Sequence, residues 1–130
     1  MADSPAAAPP IGVAELRERV EANEAFLLDV RRSARGAQIY GAIRYDPGKL
    51  RDAEKLVLPL PKTAGLIVLY DEDGTGKILT EVATKLQDNG YGELRILAGG
   101  FRAWQEAAGK MEEPTVEQPV PLVSEHQVER

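Results

Sequence analysis

The chain has 130 residues, 43% of them hydrophobic, with a formal net charge of −5 and a pI near 5.0, which suits one globular domain with one core and not two. The acidic balance excludes a nonspecific electrostatic hold on nucleic acid or anionic lipid, and no apolar run approaches the roughly 20 residues needed to span a bilayer. With no cysteine and a single histidine, His126, the chain excludes thiolate nucleophiles, persulfides, disulfides, sulfur-ligated metals, histidine metal clusters and Ser/His/Asp triads.

Residues 1–10 are rich in Ala and Pro and carry neither a basic start nor an apolar stretch. They read as a flexible tail rather than a signal peptide, and the expectation is a cytoplasmic protein. Val13, Leu16 and Val20 recur at helical spacing, and Phe26 to Val30 then reads as a short buried strand. Ala42 to Tyr45 is a second strand, ended by Asp46-Pro47-Gly48. Leu50 to Leu60 is expected to be irregular or briefly helical, with Pro61 starting the approach to the next element.

Leu66 to Tyr70 is an apolar run that reads as a strand buried on both faces, and it breaks into Asp71-Glu72-Asp73-Gly74-Thr75-Gly76-Lys77. Ile78 to Asn89 follows as a helix, with Ile78, Leu79, Val82, Ala83 and Leu86 on one face, Glu81 and Lys85 as an i,i+4 pair outside, and Gly90 as its stop. Leu94 to Leu97 is another strand. Gly99-Gly100 opens a last helix that carries Phe101 and Trp104 into the core and closes at Gly109. From about residue 114 to Arg130 the sequence mixes Pro, Glu, Gln and Val without periodicity and reads as a second flexible tail, although its spaced apolar residues also suit docking as an extended peptide. Apolar strands alternating with helices define an α/β fold: a central parallel sheet with helices on both faces. Ligands bind such sheets at the carboxyl ends of strands, and Asp71 falls there. A strand-to-helix turn also gathers backbone N–H groups that favour an anion. Here the chain supplies its own carboxylates.

Several segments together resemble the rhodanese-like domain family of sulfurtransferases. Ile11-Gly-Val-Ala-Glu-Leu16 with Phe26-Leu-Leu-Asp-Val-Arg31 is similar to the family's opening helix and Leu-Leu-Asp-Val-Arg strand. Gln38-Ile-Tyr-Gly-Ala-Ile43 stands where the family shows Gly-His-Ile-Pro-Gly-Ala, and Gly90-Tyr91 with Leu97-Ala-Gly-Gly-Phe-Arg-Ala-Trp104 and Ala108-Gly109 resembles its closing signature. The resemblance covers residues 11–113 and implies a single rhodanese-like domain there. It also implies that the family's catalytic cysteine, which follows the central strand and opens an amide-lined loop, is replaced by Asp71. A carboxylate cannot carry a persulfide, and Asp71, Glu72 and Asp73 repel anionic sulfur donors. Gln38 and Tyr40 replace the His and Pro of the second motif. The expectation is a domain without a catalytic residue or cofactor, acting as a binding or regulatory module whose partner is another protein, with no nucleic acid or membrane involved.

The acidic loop carries other readings. Asp71-Glu-Asp73-Gly-Thr75 matches the Asp-x-Asp-Gly-Thr motif of haloacid-dehalogenase-like phosphatases, in which a nucleophilic Asp and an acid/base Asp work with Mg²⁺. Asp71 and Asp73 are thus the alternative: a metal-binding or phosphoryl-transfer site, although half the chain precedes the motif and no downstream pair of acids completes it. Residues 71–82 also approximate a calcium loop, but Val82 stands where its bidentate Glu belongs. Gly74-Thr-Gly-Lys77 lacks the rest of a phosphate-binding loop. The structural reading makes Asp71 an internal anion that accepts the orphan N–H groups of the following helix. Asp29 and Arg31 are expected to pair with each other or with neighbouring loops. Arg31, Arg32, Arg35 and Arg44 are candidates to neutralise the acidic loop. Tyr40 borders the cleft as a candidate partner contact, and Tyr45 has no clear place.

Overall fold

Leu66–Tyr70 is apolar at every position, and a strand that must bury both faces can do so only in the middle of a covered sheet. It forms β5, the central strand of a five-stranded parallel sheet in the order β1-β6-β5-β2-β4, and all five of its residues are buried. The computed structural model describes residues 8–31, 36–53, 55, 58 and 65–113. In chain order these form β1 (Pro10–Ile11), α1 (Val13–Glu21), β2 (Ala25–Asp29), β3 (Gln38–Ile39), β4 (Ile43–Arg44), α2 (Pro47–Asp52), β5 (Leu66–Tyr70), α3 (Lys77–Asp88), β6 (Glu93–Leu97), α4 (Gly100–Glu106) and β7 (Met111–Glu112). β3 and β7 make a separate antiparallel pair.

Side chains alternate across each strand, so the sheet divides its apolar residues between two layers. Leu28, Ile67, Leu69 and Leu94 face one way and pack with Leu50 of α2 and Leu79, Val82 and Leu86 of α3. Leu27, Leu66, Val68 and Tyr70 face the other way, against Leu16 of α1 and Phe101 and Trp104 of α4. The expected parallel sheet with helices on both faces is the observed architecture. Among the described residues no helix is long and apolar enough to cross a membrane.

The departures from the sequence reading are local. β4 ends at Arg44, ahead of Asp46-Pro47-Gly48 as expected, but that turn also opens a helix: the Asp46 Oδ1 accepts the N–H groups of Gly48 at 2.8 Å and Lys49 at 3.2 Å. Pro47 takes the first helical position, where its missing N–H costs nothing. Of the Leu50 to Leu60 stretch only residues 50–53, 55 and 58 are described. The tail assigned to residues 1–10 ends too late, because Ala8 is buried and β1 joins the sheet: Ile96 N–H donates to the Pro9 carbonyl at 3.1 Å and Ala98 N–H to that of Ile11 at 2.9 Å. Pro10 lies between them, so its lack of a donor falls on the outer side of an edge strand. Glu81 does not pair with Lys85 but reaches Arg51 of α2 at 3.3 Å. The helix expected to run to Gly109 ends at Glu106, and β7 follows where no strand was expected. His126 and the C-terminal tail lie outside the described residues.

Candidate functional site

β5 delivers Asp71 to the carboxyl end of the sheet, between strand and α3. Its carboxylate turns back into the loop: Oδ1 accepts the Gly74 N–H at 2.6 Å and Oδ2 accepts the Gly76 N–H at 3.1 Å. Gly74 reaches the positive φ of 82° that this turn requires, a conformation open to glycine at little cost. Asp73 closes a smaller ring in which its Oδ1 accepts the Thr75 hydroxyl at 2.7 Å and the Thr75 N–H at 3.1 Å. The hydroxyl first and the amide second hold the Asp73 carboxyl below its ordinary pKa. Glu72, Thr75 and Lys77 are exposed.

The loop is clamped from outside by α4. The Asp71 and Glu72 carbonyls accept the N–H groups of Phe101 and Arg102, each at 2.9 Å, so the first turn of α4 finds acceptors for its orphan donors. Gly100 makes this approach possible. At φ +62° a Cβ there would lie 2.7 Å from the Asp71 carbonyl oxygen and from the amide nitrogens of Asp73 and Gly74. Gly99-Gly100 opens α4 as expected, and Gly100 is in addition a packing requirement of the acidic loop.

Beside the loop lies a buried polar network that the sequence only half disclosed. Asp29, level with Tyr70 in the sheet, forms a buried ion pair with Arg31, whose Nη2 lies 2.7 Å from Oδ2. Arg31 Nη2 also donates to the Ala37 carbonyl at 3.0 Å, and the guanidinium sits 4.3 Å above the Phe101 ring. Burial works to lower the Arg31 pKa, but the Asp29 carboxylate outweighs it and holds the group above its ordinary value, with Tyr70 and Glu72 contributing. Tyr70 donates its hydroxyl proton to Asp29 Oδ2 at 2.8 Å and accepts the Ile39 N–H at 3.1 Å. Burial, then the Asp29 charge, pushes that phenol well above its ordinary pKa. Periodicity shows Tyr70 only as an apolar strand residue; a tyrosine closing an otherwise aliphatic strand is the signal that its hydroxyl needs a partner.

The remaining candidates disperse. Tyr40 is 44% exposed, with the Lys110 ammonium 4.1 Å above its ring. Gln38 is buried, its Nε2 donating to the Ala42 carbonyl at 2.9 Å and to Glu112 Oε2 at 2.8 Å. Tyr45 belongs to the core. Arg44 stands level with Asp29 in β4, and its buried Nε has no hydrogen-bond partner among the described residues. Arg32 and Arg35 lie outside the described residues. For metal binding, both oxygens of Asp71 already face amides, and no group of three or more His, Cys, Asp or Glu among the described residues is placed to hold an ion. Val82, at the calcium loop's last position, is buried in the core.

A family model described as the rhodanese-like domain matches residues 12–107. Comparison with curated proteins finds no match. Among solved structures, a full-length protein from Lactobacillus plantarum superposes with a TM-score of 0.69 at 22% identity, over 80% of this chain and 87% of that one. A human single-domain sulfurtransferase gives 0.62 at 24% identity, over 76% and 96%. The 3-mercaptopyruvate sulfotransferase of Escherichia coli gives 0.60 at 24% identity, over 85% of this chain and 52% of that one.

Proposed function

This chain belongs to the rhodanese-like domain family, and from that premise we propose that it has lost sulfurtransferase activity and serves as a non-catalytic module that binds or regulates another protein. Sulfur transfer through the enzyme needs a thiolate to form the persulfide, and the chain contains no cysteine. The observation that carries the reading is the Asp71 carboxylate bonded to the Gly74 and Gly76 amides. Those N–H groups are the resource a cradle would offer an incoming anion, and they are already engaged. A second anion brought to roughly 4 Å from Asp71 meets a repulsion of about 4 kcal/mol at an effective dielectric near 20, with no free amide on those two residues to offset it. The domain then keeps its fold and its loop geometry and offers them as a surface.

Restoring the nucleophile tests this. Asp71→Cys alone is expected to give little thiosulfate:cyanide sulfurtransfer, because Glu72 and Asp73 still repel the donor; adding neutral or basic residues at both positions raises the rate. Robust activity from the single change removes charge as the obstacle, and turnover by the unaltered chain overturns the reading itself.

A further inference from the structure

Among the described residues the two exposed large hydrophobic side chains, Tyr40 and Met111, lie on the β3–β7 sheet or at its end. The ladder fixes which way the β7 backbone faces. Tyr40 N–H donates to the Lys110 carbonyl at 3.0 Å, Gln38 stands opposite Glu112, and Ile39 stands opposite Met111 between them. Bonded and non-bonded pairs alternate along an antiparallel ladder, so Ile39 and Met111 are the non-bonded pair. Ile39 obeys the rule, since its N–H turns away from β7 to the Tyr70 hydroxyl. The N–H and C=O of Met111 therefore turn away from β3, and they have no hydrogen-bond partner among the described residues. Met111 also borders an open groove of about 570 Å³, which the described residues Gly36, Ala37, Glu112 and Glu113 line with it.

An unpaired strand edge is a template for another strand. We propose that this one pairs with β7 of a second copy of the chain, antiparallel about a twofold axis through Met111, joining the two small sheets into one of four strands. The pairing is self-complementary, as a twofold interface must be: each Met111 donates its N–H to the other's carbonyl. With Met111 opposite itself, Lys110 stands opposite Glu112 of the second copy, and the symmetry repeats the pair. Directly opposed side chains share a face and interact, so opposite charges there favour association. A two-residue slip in either direction sets Lys110 against Lys110 or Glu112 against Glu112, so the charge pattern selects the register. Both charges are held in place beforehand, Lys110 over the Tyr40 ring and Glu112 by the Gln38 amide and the Gly41 N–H at 3.0 Å. This inference is independent of the fate of sulfurtransferase activity.

Sedimentation velocity of the full chain over a concentration series, with amide hydrogen exchange measured on the same samples, tests it. The expected result is a dimer that grows with concentration while the Met111 amide, and not that of Ile39, gains protection. Met111→Pro removes the outward donor at a position where β3 needs none, and is expected to leave a folded monomer. Lys110→Glu places like charges at both pairs and is expected to weaken association by about tenfold, which keeps the test open if the proline variant fails to fold. A chain that stays monomeric to millimolar concentration overturns the proposal. So does a dimer whose Met111 amide remains unprotected or whose stability ignores Lys110→Glu.

Discussion

Asp71 and Tyr70 are neighbours with opposite tasks. Asp71 turns its charge to two amides in a partly open loop. Tyr70 sends its hydroxyl under the sheet to Asp29, where burial leaves no water to replace a lost partner. Removing that hydroxyl strips Asp29 of one donor and leaves the Ile39 N–H without an acceptor, while the Asp29–Arg31 pair survives. Tyr70→Phe is therefore expected to lower stability by about 1–3 kcal/mol, read from urea denaturation with an unchanged m-value. A loss within a few tenths of that scale from zero would mean that water takes over the hydroxyl's role. At this scale the sequence was informative about chemistry and silent about direction. The Asp-Val-Arg strand end announced an Asp29–Arg31 pairing, but nothing local said that a tyrosine more than forty positions away would complete it, because the contact exists only when β2 and β5 lie side by side.

Elements were legible where burial dictated them. β5 and the apolar face of α3 follow from periodicity alone, and the two-sided core from strands that are hydrophobic at consecutive positions. What escaped were short elements, which owe their existence to pairing and capping rather than to a pattern: β1, β3, β7 and the Asp46-capped start of α2. The acidic loop was legible in outline, with Asp71 as an internal anion, but the amides it accepts are those of Gly74 and Gly76 ahead of α3 rather than the orphan donors of that helix, which has no side-chain cap. The dependence of the loop on α4 was not legible. That dependence has a direct test. A methyl group at Gly100 meets backbone atoms of three loop residues at 2.7 Å and sits at an unfavourable φ, so Gly100→Ala is expected to cost roughly 2–5 kcal/mol and to raise hydrogen exchange at Gly74 and Gly76. A near-neutral thermal shift would show that loop and helix separate without penalty.

For the whole molecule, the ionisable groups set a stability plateau bounded at both ends. Tyr70 has its phenol pKa raised by burial and by Asp29, and Tyr45 has its own raised by burial and then by Tyr91. A phenol whose folded pKa lies above its unfolded value contributes fully below the unfolded value, about 10, and loses that contribution as pH climbs past it. At the acid end Asp73, Glu15 and Asp52 have lowered values, caused first by Thr75, Arg95 and Arg51 respectively. Their contribution is present above about pH 4–4.5 and is lost as pH falls further. Unfolding free energy is thus expected to vary little from pH 6 to 9 and to fall above about pH 10, with a shallower alkaline slope in Tyr70→Phe; an equal slope in both proteins would assign the alkaline loss elsewhere. The family fold, the absence of cysteine and the occupied cradle converge on one central claim, that the loop from Asp71 to Lys77 is filled by its own Asp71 and admits no external anion. Amide NMR of the unaltered chain, titrated with thiosulfate and then with Mg²⁺ plus a fluoride phosphate mimic, tests it most directly. The account predicts that the Gly74 and Gly76 resonances stay where they are. Saturable shifts confined to residues 71–77 would contradict it.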